Sequence, residues 1–115
     1  MPSQASTISP GVALTLESLI TLTERGIASR VLAKGSGGSV TLFAFDSGEE
    51  LSEHTSPFEA LVLVLDGSLR LTIDGRPVVA QPGTIVRMPA DVPHAVEADE
   101  PARMLLIMLM DRKPQ

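Results

Sequence analysis

The chain has 115 residues, 43% apolar and 20% charged, which allows one domain with its own core and excludes extended disorder. Nine basic and fourteen acidic residues leave a net charge of −5, which disfavours nucleic-acid backbones and anionic lipid as partners. There is no cysteine, no tryptophan, no tyrosine and only three phenylalanines, so disulfide frameworks, cysteine nucleophiles and base-stacking platforms drop out.

Residues 2–10 are rich in Ser, Thr and Pro and lack periodicity, as expected of a frayed end or an arm ordered by a partner. This stretch has neither the basic nor the apolar region of a signal peptide. The longest apolar run, Met104 to Met110, is far shorter than the roughly twenty residues of a bilayer span and reads as a buried strand. A cytoplasmic protein without membrane partners is the expectation. Leu16, Leu19 and Ile20 follow i, i+3, i+4 spacing, with Thr15 placed to cap and Gly26 to end a short helix. A strand competes there, because Thr15, Thr21 and Thr23 alternate with leucines.

From Ile27 the period becomes two. Ile27–Ala33 and Val40–Phe45 predict strands around the glycine-rich turn Lys34-Gly35-Ser36-Gly37-Gly38-Ser39. Leu61–Leu65 is continuously apolar and predicts a strand covered on both faces. Leu69, Leu71 and Ile73 alternate with Arg70 and Thr72, which predicts one wet and one dry face. Asp74-Gly75 is a strong hairpin signal. Val78–Val79, Thr84–Met88, His94–Glu97 and Met104–Met110 complete the series, punctuated by Pro82-Gly83, Pro89-Ala90-Asp91 and Glu100-Pro101. Such spacing indicates an all-β sandwich or barrel. The expected organisation is an arm over residues 1–26, a barrel over 27–110 and a tail over 111–115.

The two histidines, His54 and His94, each sit beside a proline turn at the edge of a predicted strand. Gly48, five residues and His54, with Gly67 closing the next strand, resemble the first motif of the cupin family. Gly83, five residues, Pro89 and His94 resemble its second motif. The resemblance covers about residues 27–110 and implies a small double-stranded β-helix, or jelly-roll barrel, with both histidines facing each other across its mouth. In metal-binding cupins three histidines and a carboxylate hold Fe, Mn, Ni or Zn. Here the second histidine position falls at Ser56 and the carboxylate position at Ala60, so the resemblance leaves His54 and His94 as metal ligands. Glu59 stands one residue away from Ala60, but strand parity turns it to the opposite face, and Glu97 is likewise opposite to His94.

Parity with His54 places Ser56, Phe58, Ala60, Val62 and Val64 inward. Ser56 and Ala60 then open space, Phe58 forms an apolar wall, and Met104 and Met108 line the ligand site from the last strand. Arg87, in an otherwise apolar strand, is expected to pair with Asp91 or to grip a substrate carboxylate. Asp46, Glu49, Glu50 and Glu53 read as a solvated rim.

Three functions follow as expectations. The first is a small-molecule-binding cupin whose site lies between His54 and His94. The second is a metal-dependent enzyme, dioxygenase- or isomerase-like, with one divalent transition metal on those histidines. The third is a ligand-sensing regulatory barrel. The resemblance also implies a homodimer, with the outer face of Leu61–Leu65 covered by the other sheet or a second subunit, and N-terminal strands packed or exchanged between copies.

Overall fold

A computed structural model of the chain describes residues 7–110; the expected tail over 111–115 and the first six residues of the arm lie outside the described residues. Nine strands follow one short turn of 3-10 helix. They are β1 (Ile27–Gly35), β2 (Gly38–Phe45), β3 (Glu50–His54), β4 (Glu59–Asp66), β5 (Leu69–Ile73), β6 (Arg76–Ala80), β7 (Ile85–Met88), β8 (His94–Ala98) and β9 (Ala102–Leu109). Five strands form one antiparallel sheet in the order β1-β2-β9-β4-β7, and four form a second in the order β3-β8-β5-β6.

Alternation decides what each sheet buries. Ala60, Val62 and Val64 of β4, Leu69 and Leu71 of β5, Val96 and Ala98 of β8, and Phe45, Met88, Ala102 and Met104 from their own strands close one core between the sheets. Removing such a valine or leucine from water contributes roughly 1.5–3 kcal/mol. Phe43 and Phe45 share this inward face of β2, with ring centroids 6.1 Å apart. Arg70, on the other face of β5, meets Glu97 and Asp99 in the solvent.

The five-stranded sheet buries a second layer on its outer side. Leu32, Leu42 and Ala44 pack under Ile20, with Ile8, Leu16, Leu19 and Leu22 alongside and Leu65 and Leu105 from the middle strands. The arm is tied down by Ile8 N–H donating to the Leu32 carbonyl at 2.9 Å and by Arg30 Nη1 donating to the Leu19 carbonyl at 3.1 Å. The outer face near Leu65 is therefore covered by the chain's own arm, a solution that the resemblance did not include.

The expected short helix contracts to four residues, Leu16–Leu19, and Thr15 makes no side-chain cap. Instead Ser18 Oγ donates to the Thr15 carbonyl. The Leu16, Leu19, Ile20 spacing that suggested a longer helix serves as three anchors onto a flat sheet, and this packing outweighs the weak propensity of a short segment.

Turn chemistry sets the remaining geometry. Asp74 and Gly75 both take positive φ, 54° and 78°, as the two-residue turn between β5 and β6 requires. Gly67, at φ 69°, lets the β4–β5 turn touch the segment before β9; a Cβ built there falls on the Pro101 carbonyl oxygen and 2.7 Å from the Ala102 Cα. Gly67→Ala is expected to destabilise the fold by roughly 2–4 kcal/mol, from the left-handed conformation plus displaced backbone. A fall in the urea midpoint checks this, and an unchanged midpoint would show that the turn has slack.

Candidate functional site

Three connections meet at one end of the barrel. The Asp91 amide of the β7–β8 loop donates to the Ser56 carbonyl of the β3–β4 loop at 2.7 Å, and the Asp74 amide of the β5–β6 turn donates to the Pro93 carbonyl at 2.9 Å. His94 opens β8 directly after these contacts, and His54 closes β3 directly before them. The mouth of the barrel is thus built by hydrogen-bonded turns around the two histidines.

The pairing of β3 with β8 carries an irregularity that selects His54. Leu51 stands opposite Val96, and His54 stands opposite His94. Three steps on β3 therefore span two on β8, which is a β-bulge. In an unbroken register Glu53 would face His94 and His54 would turn outward. The extra residue restores the inward parity that Leu51 starts.

The two rings meet edge to face, with centroids 4.4 Å apart and planes at 71°. His94 is buried, 6% exposed, while His54 sits at the solvent edge of the mouth. His54 Nδ1 lies 2.8 Å from the Ser52 carbonyl, and His94 Nδ1 lies 3.0 Å from the Val92 carbonyl. A carbonyl only accepts, so each Nδ1 donates and the neutral ring keeps its lone pair on Nε2. Both imidazoles are thus oriented by backbone two residues upstream and present the same acceptor atom.

The other predicted site residues divide. Ala60 is buried on the inward row, with Met108 opposite it on β9 and Met88 opposite it on β7. Met104 lies deeper, fully buried opposite Phe43 and Val64, so of the two predicted methionines Met108 stands nearer the mouth. Ser56 accepts a hydrogen bond at Oγ from the Phe58 amide, 3.2 Å away. Phe58 is half-buried in that loop, and the hydrophobic residues packed on the barrel core include Phe43, Leu51, Ile73 and Leu106 but not Phe58. The apolar residues packed on the core come from the strands, because a loop side chain is not held to a sheet face. Sequence reasoning did not place Met88 and Ile73 on the inward face at this end of the barrel; the parity of Val86 with Met88 and of Leu71 with Ile73 carried the signal.

Arg87 corrects another expectation. It faces outward and its Nε donates to Glu59 Oε1 at 2.6 Å, so its partner is neither Asp91 nor a substrate. Glu59 Oε2 also accepts from the Ala90 amide at 2.9 Å. The Arg87 side chain first, then the Ala90 amide, hold the Glu59 carboxyl below its ordinary 4.5. Glu59 thereby ties the His94-bearing loop to β4 from outside the barrel.

Divalent transition metals take imidazole nitrogens, and backbone-oriented Nδ1 atoms suit such ligation. Yet no third His, Asp or Glu joins the pair among the described residues. Glu59 is committed elsewhere, and positions 56 and 60 hold a serine and an alanine. A resident metal calls for three or more protein ligands, so the donor set does not fit one.

A two-sheet antiparallel barrel with paired imidazoles at its mouth defines a small double-stranded β-helix protein. The cupin domain model matches residues 41–108, more than half of the chain, and the chain belongs to the cupin family. It is similar to a conserved protein of unknown function from Streptococcus pyogenes, with 30% identity over 97% of this chain and 98% of the other and a TM-score of 0.87. A cupin superfamily protein from Desulfitobacterium hafniense shares 29% identity over 95% of this chain and 100% of its own, with a TM-score of 0.85. A cupin 2 conserved barrel domain protein from Leptotrichia buccalis shares 37% identity over 84% of this chain but 47% of its own, with a TM-score of 0.80. No curated protein matches the chain. No helix among the described residues is long and apolar enough to cross a membrane.

The Glu59 bond has a pH signature. Its folded value is depressed, so its contribution is present above 4.5 and is lost as the pH falls through the lower folded value. The Ala90 amide proton resonance is expected to move with a midpoint below 4.5, and to stay flat in Glu59→Gln. A wild-type amide that does not titrate would remove Glu59 as the anchor of this loop.

Proposed function

We propose that this cupin binds a small molecule in the barrel mouth, where the Nε2 atoms of His54 and His94 accept hydrogen bonds from a donor on a largely apolar ligand. The observation that carries this reading is the imidazole pair itself, whose Nδ1 atoms are both used by backbone carbonyls. Ile73 stands beside it in cross-strand register and Met108 shares the inward face of the opposite sheet, half-buried apolar side chains that would desolvate a ligand and strengthen its few polar contacts. The metal-dependent alternative is the weaker reading, since two nitrogens are the whole donor set that the mouth supplies among the described residues.

1-Phenylethanol, an apolar body with one hydroxyl, serves as the probe. It is expected to shift the Nε2 resonances of both histidines, and His54→Ala with His94→Ala should weaken its binding about tenfold, the worth of one or two desolvated hydrogen bonds. Protein purified without an affinity tag should carry only traces of Fe, Mn, Ni or Zn. A full equivalent of metal that the double variant loses would replace this reading with the metalloenzyme one.

The partner proposed for the uncovered part of the outer sheet face is a second copy of the chain. Leu61 with Ile107 and Leu63 with Ile85 are cross-strand pairs on that face. Ile85 and Leu109 remain 57% and 45% exposed beyond the arm. Glu59 and Arg87 border the patch with opposite charges, which suits the self-complementarity of a two-fold interface. Light scattering is expected to give about twice the chain mass of 12.2 kDa, reduced to the monomer by Ile85→Lys. A wild-type monomer at micromolar concentration would overturn the dimer.

A further inference from the structure

The strand registers align four residues in a single row across the inner face of the four-stranded sheet. His54 stands opposite His94, His94 opposite Ile73, and Ile73 opposite Arg76. Ile73 packs on the barrel core, so its cross-strand neighbours share the inward face. The turn that presents Arg76 is pinned to the His94 loop by the Asp74 amide. Arg76 is exposed, and among the described residues its guanidinium has neither an ion pair nor a hydrogen bond.

Among the described residues, the remaining arginines are spoken for or distant. Arg70, Arg87 and Arg103 pair on the outer faces with Glu97 and Asp99, with Glu59, and with Asp66. Arg30 is held by the Leu19 carbonyl under the arm, and Arg25 lies in the turn before β1. One further cation shares an inward row: Lys34, opposite Ser39 at the edge of the facing sheet. Its row continues through Met108 and Ala60 to Met88. No carboxylate stands on either row. Glu50 and Glu97 pair on the outer face, Glu59 turns to Arg87, and Asp74 and Asp91 lie in the turns at the rim. A chain with a net charge of −5 thus keeps its inward mouth rows free of acid and gives them an unpaired guanidinium.

We infer that the ligand of this mouth is a hydroxy- or amino-carboxylate with an apolar body, and that Arg76 selects it by gripping the carboxylate. This rests on the proposed binding site between the histidines and adds to it the chemical class of the occupant. Arg76 is two strand spacings from His94, about 10 Å between Cα atoms, so a ligand a few atoms long reaches from one to the other. Its hydroxyl or amine donates to the Nε2 pair, which in the neutral rings only accepts. Its carboxylate takes the forked N–H donors of the guanidinium. Its apolar part rests on Ile73 and, across the barrel, on Met108, both only half-buried. Lysine in place of Arg76 would supply charge without the fork.

Two probes separate the terms: 3-hydroxy-3-phenylpropanoate, with hydroxyl and carboxylate, and 1-phenylethanol, with the hydroxyl alone. Histidine side-chain resonances report binding of each at millimolar concentration. Wild-type protein should bind the hydroxy acid about tenfold more tightly than the alcohol, one charge-assisted contact's worth. Arg76→Gln should abolish that preference and leave the alcohol's affinity unchanged; Arg76→Lys should restore part of it, and Lys34→Gln should leave it intact. Arg76 is exposed on a hairpin, so Arg76→Gln should unfold at the wild-type temperature. A preference that survives Arg76→Gln, or that disappears in Lys34→Gln instead, overturns the assignment while the histidine site stands. If neither probe moves the histidine resonances, the site between the histidines fails and the inference fails with it.

Discussion

One surplus residue in β3 decides which side chain stands opposite His94. Strand pairing has a period of two, so a slip of one position exchanges the inner and outer faces of everything that follows. With the bulge, His54 meets His94 at ring contact and Glu53 is displaced from the mouth. Without it, a carboxylate would point at a buried imidazole and the second histidine would face solvent. The bulge also creates the bond that orients the ring, because the Ser52 carbonyl that receives His54 Nδ1 belongs to the irregular segment. His94 is oriented in the same manner by Val92. The backbone thus chooses the tautomer of both rings.

The barrel supports this arrangement by separating its functions between faces. The inner face is a closed apolar core that runs from Phe45 and Leu69 to Met88 and stiffens the strands that end at the mouth. The outer face of the five-stranded sheet carries a second apolar layer, and the arm from Ile8 to Leu22 seals part of it. Among the described residues, charged pairs are confined to outer surfaces. Glu59 and Arg87 show what that confinement does at the mouth: the carboxylate acts on the His94 loop through the Ala90 amide from outside the barrel.

The mouth that results has a chemistry unlike that of the whole molecule. The chain is acidic, but the carboxylates among the described residues line outer faces and turns, while the inward rows carry nitrogen bases and thioethers. Two nitrogens from neighbouring strands of one sheet make a hydrogen-bond acceptor pair and, among the described residues, fall short of a metal cage. Polarity is concentrated on the four-stranded sheet and apolar surface on the five-stranded one. A ligand with one polar edge and one greasy edge matches that division.

Much of this was legible before any coordinates. The strand series apart from β3 and the Asp74-Gly75 turn follow from local rules, since alternation and turn chemistry act between near neighbours, while the pairing of the two histidines followed from the resemblance to the cupin motifs. The outward parity of Glu59 and Glu97, read from their distance to Ala60 and His94, follows from the same period. Parity holds only inside a paired strand, and Phe58 lies in the β3–β4 loop, so the period of two does not assign it a face. The Arg87 partner was misassigned for a related reason: Asp91 is close in sequence, but Glu59 is close across the sheet.

What the amino-acid order determined alone was the series of strands other than β3 and the face each residue takes within its own strand; the polar stretch Glu50–His54 reads as a rim and becomes a strand only by pairing with β8. What tertiary structure decided was the register between strands: the bulge that brings His54 opposite His94, the alignment of Arg76 with both, and the folding of the arm over Leu42 and Ala44. Period and turn propensity are properties of a few consecutive residues. Register is set by the summed packing of every strand at once, and no short stretch of chain carries that sum.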